Sequence, residues 1–165
     1  GVNFGKLKKN SIDSRAYFIE ELLKCSKDKI NFHFLGLYNE QPKWNYDFNN
    51  ELMISKTALN LSRGGPSKYS SSNRIATIMG NGVLPFINEK VMYQDFFDND
   101  EIITYKNPSD LISILFKNIS NEKNLIKRSK NAKKRYFEIF SNTIIADFII
   151  YKIFETKKKY KFIWE

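Results

Sequence analysis

Two short, nearly continuous apolar runs, VLPFI at 83–87 and EIITY at 101–105, constrain this chain more than any other feature of its sequence. A strand that is apolar on successive residues has no solvent face, so it belongs inside a parallel sheet covered on both sides. Pro85 fits such a strand near its edge. TALNL at 57–61 is a further run of this type, and INFHFLGL at 30–37, rich in β-formers and closed by Gly36, is another.

Helical spacing fills the intervals. Phe18, Ile19, Leu22 and Leu23 recur at helical period within 13–25, with Asp13 placed to cap the first turn. The polar, turn-rich stretch 39–50 reads as a loop, and 51–56 as one or two helical turns. A helix over 74–79 is ended by Gly82 in the position of a C-terminal capping glycine. Asn107, Pro108 and Asp110 supply a cap, a first-position proline and a first-turn acid for a helix carrying Leu111, Ile112, Ile114, Leu115 and Ile119. Asn121 and Ser141 are capping residues for two more. Short strands alternating with helices predict an α/β fold: a Rossmann-like, doubly wound parallel sheet with helices on both faces.

At 165 residues, 42% of them hydrophobic, the chain can bury one substantial core. The expected organisation is one domain over 1–155, followed by a tail, TKKKYKFIWE at 156–165, in which lysines alternate with aromatics. The chain begins with Gly1, and VNFGKL resembles the end of a strand, so a fragment of a longer protein with a truncated first strand is expected. No apolar run approaches the roughly 20 residues that span a bilayer, and no signal core is present; a soluble, cytoplasmic protein follows as an expectation. Cys25 is the single cysteine and His33 the single histidine, which excludes an internal disulfide and any cysteine- or histidine-based metal cluster. Both are expected in the core or on a strand.

The formal charge of +9 suits a nucleic acid, an anionic membrane face or a phosphate-bearing ligand. It equally suits general enrichment in lysine, and the two readings stand side by side. No zinc-finger spacing, basic-zipper heptad or RNP-like strand is present, so nucleic acid is not an expected partner. The tail leaves two readings: aromatics docked on the sheet, or peripheral contact with the inner face of a membrane.

The stretch LSRGGPSKYSSSNR at 61–74 follows a strand and precedes a helix, the position where ligands bind in doubly wound sheets. Gly64 and Gly65 admit backbone conformations that other residues resist. Ser71, Ser72 and Asn73 can cap the new helix and offer donors, and amides at a helix start suit a phosphate. Arg63, Lys68 and Arg74 bracket the turn and could neutralise a diphosphate, arginine binding two oxygens at once. An exposed polar loop is the competing reading. The stretch is neither a Walker A loop nor G-x-G-x-x-G.

The run KTALNLSR, SSNRIATIMGNGVLPFIN, DFFDNDEIITYKNPSDL and KNAKKRYFEIFS resembles the C-terminal half of GT-B glycosyltransferases, particularly their group-1 and CgeB-like branch. Arg74 matches the family arginine of an R-x-x-E helix, 79–82 the glycine turn that ends it, and 98–111 the closing block. GKL at 5–7 is similar to the G-R-L loop after the first strand, which adds Lys6 to the set. The resemblance covers about two thirds of the chain. It implies a nucleoside-diphosphate-sugar donor held by Lys6, Arg63, Gly64, Gly65, Lys68, Ser71, Ser72, Asn73 and Arg74, with no metal and no other cofactor. Developing charge on the leaving diphosphate would be stabilised by cations and the helix dipole. Arg74 and Glu89, the latter just after a strand end, are the candidate catalytic residues.

Two departures accompany the resemblance. Thr77 stands where the family carries a glutamate for the ribose, and it lacks the two charged acceptors that a diol takes up. The acceptor-binding N-terminal domain is absent from this chain, which alone is expected to be inactive. A nucleotide-binding or interaction module that keeps the fold without catalysis is therefore the alternative function.

Overall fold

The computed structural model describes residues 14–27, 29–36, 38, 40–62 and 64–165. Asp13 and Lys6 lie outside them, as does Arg63. The order of elements is α1 (Ser14–Ser26), α2 (Asn45–Met53), β1 (Thr57–Asn60), α3 (Asn73–Gly80), β2 (Leu84–Asn88), β3 (Ile103–Tyr105), α4 (Pro108–Ile119), α5 (Glu122–Phe140) and α6 (Asn142–Phe154). Two single-turn 3-10 helices, Glu89–Val91 and Tyr93–Asp95, lie between β2 and β3.

The three strands form a parallel sheet in the order β1-β2-β3. Thr57 is in register with Leu84, Asn60 with Ile87, and Ile87 with Thr104. Leu84, Pro85, Phe86 and Ile87 are all buried, and because successive side chains point to opposite faces, β2 has protein on both sides. Helices supply that cover: α1 packs on α4, α3 on α5 and β2, and α4 on β3. The expected Rossmann-like α/β arrangement is the one observed. Its core gathers Leu22, Ile75, Met79, Phe86, Ile87 and Leu111 among others. No helix among the described residues is long and apolar enough to cross a membrane.

The capping residues act as their types dictate. The Asn107 side chain accepts from the amide of Asp110, that of Asn121 from Asn124 and that of Ser141 from Ile144. Each such cap satisfies an amide that the first turn leaves without a helical partner. Gly82, at φ +74°, takes the left-handed conformation that follows the end of α3.

Three expectations change. Residues 29–36 contain no strand: over 29–34 the side chains alternate between exposed and half-buried as in a strand, yet no ladder joins them to β1. Ile30 and Phe32 pack on the core and Phe32 stacks on Phe34, with ring centroids 5.6 Å apart, so side-chain contacts hold the segment extended. A cavity of about 550 Å³ is lined by this segment together with residues of β1, α1 and α4. His33, expected in the core or on a strand, is accordingly exposed, with Nδ1 3.2 Å from Glu51 Oε2. The loop expected over 39–50 also ends early, because Phe48 and Leu52, one helical turn apart, pack with Ile78 and Val83 and draw 45–50 into α2.

The tail folds back on helices rather than on the sheet. Phe162 is buried against Phe148 and Tyr151, and Trp164 stacks parallel on Phe140 at 5.4 Å. Asp147 accepts from the amide of Lys159 at 3.1 Å, and Glu165 pairs with Lys152 at 2.6 Å and with Lys158.

Candidate functional site

Asn60 ends β1 as a buried polar residue after three half-buried ones. A buried amide needs partners, and it finds them in the next helix: its Oδ1 accepts from Ser72 Oγ at 3.3 Å and from Arg74 Nη1 at 3.4 Å. The same Nη1 donates to the carbonyl of Leu61 at 2.5 Å. Arg74 thus ties the start of α3 to the carboxyl end of β1.

The charge of Arg74 is not matched there. Its hydrogen-bond acceptors are neutral, and no carboxylate among the described residues lies within ion-pair distance. Burial pushes its pKa down, and neighbouring Arg15 pushes it further the same way. Arg128 makes an instructive contrast. It is also half-buried and bonded to neutral acceptors, the carbonyls of Asn99 and Ile102 and the Asn118 side chain, but Asp100 opposes its desolvation. Arg74 has a second guanidinium nearby in place of an acid.

The helix start beside it is open. Ser72 occupies the capping position in extended conformation but makes no capping bond, since its hydroxyl is turned to Asn60. The amides of Asn73 and Arg74 have no hydrogen-bond partner among the described residues. Unpaired first-turn amides carry the positive end of the helix dipole. A half-buried guanidinium and an uncapped helix start therefore share one end of the sheet.

The loop before α3 is anchored rather than merely exposed. Tyr69 donates its amide to the carbonyl of Val91 at 2.8 Å and its hydroxyl to Asp95 at 2.6 Å, and its ring packs on Phe96 at 4.9 Å. Ser71 hydrogen-bonds Tyr93, whose hydroxyl pKa burial pushes up. Ser70 Oγ is buried without a partner among the described residues. Gly64 and Gly65 have φ of +79° and +96° with open space where a side chain would stand, so conformation, not crowding, requires glycine there.

The other expected site residues are placed as follows. Ser71, Ser72 and Asn73 are exposed at the entry to α3. Lys68 is exposed with Nζ 4.7 Å from the centroid of the Tyr69 ring. Thr77 is half-buried, one turn along α3, and its hydroxyl donates to the Asn73 carbonyl at 2.8 Å. Glu89 opens the 3-10 turn directly after β2, at the same end of the sheet as Asn60. Arg63 and Lys6 lie outside the described residues.

Arg15 and Asn60 escaped the sequence reading. Asn60 had a signal, an amide side chain following the apolar Ala58 and Leu59 at the end of a strand. Arg15 had none, because one arginine among helical charges resembles any solvated residue, whereas here it is buried.

A family model described as glycosyl transferase-like matches residues 15–149. No curated protein and no solved structure gives a significant match.

Proposed function

The chain belongs to the glycosyl transferase-like family, and from that premise we propose that it is the donor-binding half of a GT-B glycosyltransferase of the CgeB-like branch. Its ligand is a nucleoside-diphosphate sugar. The observation that carries this reading is Arg74: a half-buried cation without a carboxylate, beside the open first turn of α3 at the carboxyl end of β1. Burying a cation without a counter-charge is costly, and an anion seated between Arg74 and the Asn73 and Arg74 amides offsets that cost.

In the transfer, an acceptor hydroxyl attacks the anomeric carbon and the bond from that carbon to the β-phosphate oxygen breaks. The nucleoside diphosphate leaves with the electron pair, and the acceptor proton passes to a base on the acceptor-binding domain. Arg74 and the helix start hold the charge that develops on the leaving group, so the step needs no metal. Ser71 to Asn73, Gly64, Gly65, Lys68, Arg63 and Lys6 complete the phosphate surroundings, Thr77 faces the ribose, and Glu89 approaches the donor sugar. The setting is cytoplasmic.

Thr77 favours a second reading, a nucleotide-binding module without catalysis, because its hydroxyl proton is already engaged by its own helix. Titration calorimetry of the chain with UDP, GDP and UDP-sugars tests the first step common to both. Saturable binding is expected. No binding at millimolar ligand by a folded protein overturns the donor assignment.

A further inference from the structure

α6 presents an uncharged, largely apolar face to solvent. Ile153 and Phe154 are 65% and 70% exposed, and Ile149 and Ile150 are each half exposed. With the exposed Ala146 they recur at the i, i+3, i+4, i+7, i+8 spacing of a single helical stripe. The tail aromatic Phe162 packs on the other side of the helix, against Phe148 and Tyr151, and so leaves this stripe bare. The two charged residues of α6 lie off the stripe: Asp147 is buried, and Lys152, half a turn from both Ile150 and Phe154, pairs with Glu165. Single exposed apolar residues are ordinary, but a contiguous set marks a surface that meets something other than water.

Charge along one border of the stripe narrows the partner. After the turn at Glu155, itself exposed, the chain carries exposed Lys157, Lys158, Lys159 and Lys161. The amide of Lys159 donates to Asp147, and Lys158 Nζ lies 4.7 Å from the centroid of the Tyr151 ring, which lays the lysine run along the flank of α6. Asp147 and Tyr151 precede Ile150 and Phe154 by three residues each, so that flank adjoins the stripe. Glu165 takes up Lys158, but Lys157, Lys159 and Lys161 have no ion pair among the described residues. We propose that α6 and the lysine run form a binding surface for an anionic lipid bilayer. The helix lies in the plane of the interface, with Ile149, Ile150, Ile153 and Phe154 among the acyl chains and the lysines at the headgroup phosphates. Its 13 residues, about 20 Å of helix, rest on a bilayer and do not cross it. Composition favours lipid over a protein partner: protein interfaces are enriched in Tyr, Trp and Arg and depleted in Lys, whereas this stripe is mostly aliphatic and bordered by lysine. α6 contributes none of the residues proposed for the donor site, so the two readings stand or fall separately.

Co-sedimentation of the full chain with vesicles of phosphatidylcholine alone, and of phosphatidylcholine mixed equally with phosphatidylglycerol, tests the surface. Binding to the mixed vesicles is expected, and at least about 10-fold weaker binding to the neutral ones. The double substitution Ile150→Ser and Ile153→Ser changes exposed residues only, so the fold should persist, and binding should fall by about 10-fold or more. Lys157→Gln, Lys159→Gln and Lys161→Gln together should lower affinity for the mixed vesicles by roughly 5-fold per lysine and remove most of the preference over neutral lipid. Phe154→Trp reports insertion directly: phosphatidylglycerol brominated in its acyl chains should quench its emission beyond that of the unmutated chain. No binding of the folded chain to anionic vesicles, or binding that the serine pair leaves unchanged, overturns the proposal. A dimer in sedimentation equilibrium that the serine pair dissociates, without vesicle binding, overturns it in favour of a second copy of this chain.

Discussion

Replacing Thr77 by glutamate isolates the ribose side of the proposed donor site from its phosphate side. Thr77 lies three residues beyond Arg74 on α3, away from the buried Ile75, Ile78 and Met79. The substitution removes the bond to the Asn73 carbonyl, of a kind that slightly destabilises helices, and replaces a β-branched residue by a better helix former. The fold should therefore tolerate it, with a stability change within about 0.5 kcal/mol. A carboxylate at 77 can accept from both ribose hydroxyls. A hydrogen bond to a charged group contributes about 1.5–3 kcal/mol, while the added side-chain ordering and an i,i+3 attraction to Arg74 of about 0.2–0.5 kcal/mol oppose the gain. The net is about 1–2 kcal/mol, or about 5- to 30-fold tighter UDP binding. Pyrophosphate has no ribose, and partial neutralisation of Arg74 should leave its affinity equal or slightly weaker. Calorimetry with both ligands, checked by urea denaturation of the variant, reads the difference. A UDP affinity that stays level, or that moves in parallel with pyrophosphate, refutes the placement of the ribose at Thr77.

Three further outcomes follow from the geometry. Gly65→Ala forces a β-carbon onto a backbone at φ +96° with open space around it, so a loss of about 1–2 kcal/mol in urea midpoint analysis should accompany weaker UDP binding. Phe162→Ala removes a buried ring from the contact with Phe148 and Tyr151, and should cost up to about 3 kcal/mol, limited by detachment of the tail; Trp164 emission should shift to the red, a change assignable to that residue because Trp44 is already 75% exposed. The Glu51 carboxyl is held below its ordinary pKa by its hydrogen bonds to Lys43 and His33. Its folded-state pKa being the lower one, its contribution is complete above the unfolded carboxylate pKa and is lost as pH falls through the folded value. Glu51→Gln should therefore flatten the acid limb of the stability profile, and an unchanged limb counts against the pairing.

The parts of the fold legible in the sequence are those where one local signal agrees with one tertiary requirement. VLPFI became the central strand because a run without a polar face needs two covered faces, and Asn107, Asn121 and Ser141 became caps because their side chains satisfy first-turn amides whatever lies around them. The segment 30–37 has strand composition, but pairing is a property of two chains, and the separation from β1 is not written in either run. α2 was obscured because its apolar packing rests on Phe48 and Leu52, and the surrounding NYDFNN reads as turn. At the site, Arg74 and the 61–74 loop were visible through glycine, serine and spacing. The neighbouring Arg15 was not, since its effect on Arg74 arises from proximity between α1 and α3, which lie far apart in sequence.

The net charge of +9 does not by itself point to the site. Most of the lysines of α5 are exposed, and an exposed ammonium is satisfied by water, so its presence says little about a partner. Two of the three aromatics of the tail, which would have strengthened a membrane reading, are turned inward: Phe162 is buried and Trp164 is stacked on Phe140, while Tyr160 is exposed. Arg74 differs from the surface lysines in that burial has taken water from it, and a desolvated cation is retained in a fold where something offsets its cost. Salt separates the two populations. Binding carried by exposed lysines weakens steeply with ionic strength, whereas partly buried charges are screened much less. Raising salt from 50 to 200 mM should therefore weaken pyrophosphate binding by less than about 10-fold, well short of the 10³–10⁵ loss typical of binding through many surface phosphate contacts. A steep dependence, undiminished in Arg74→Gln, would move the anion from the α3 start to the lysine-rich surface of α5.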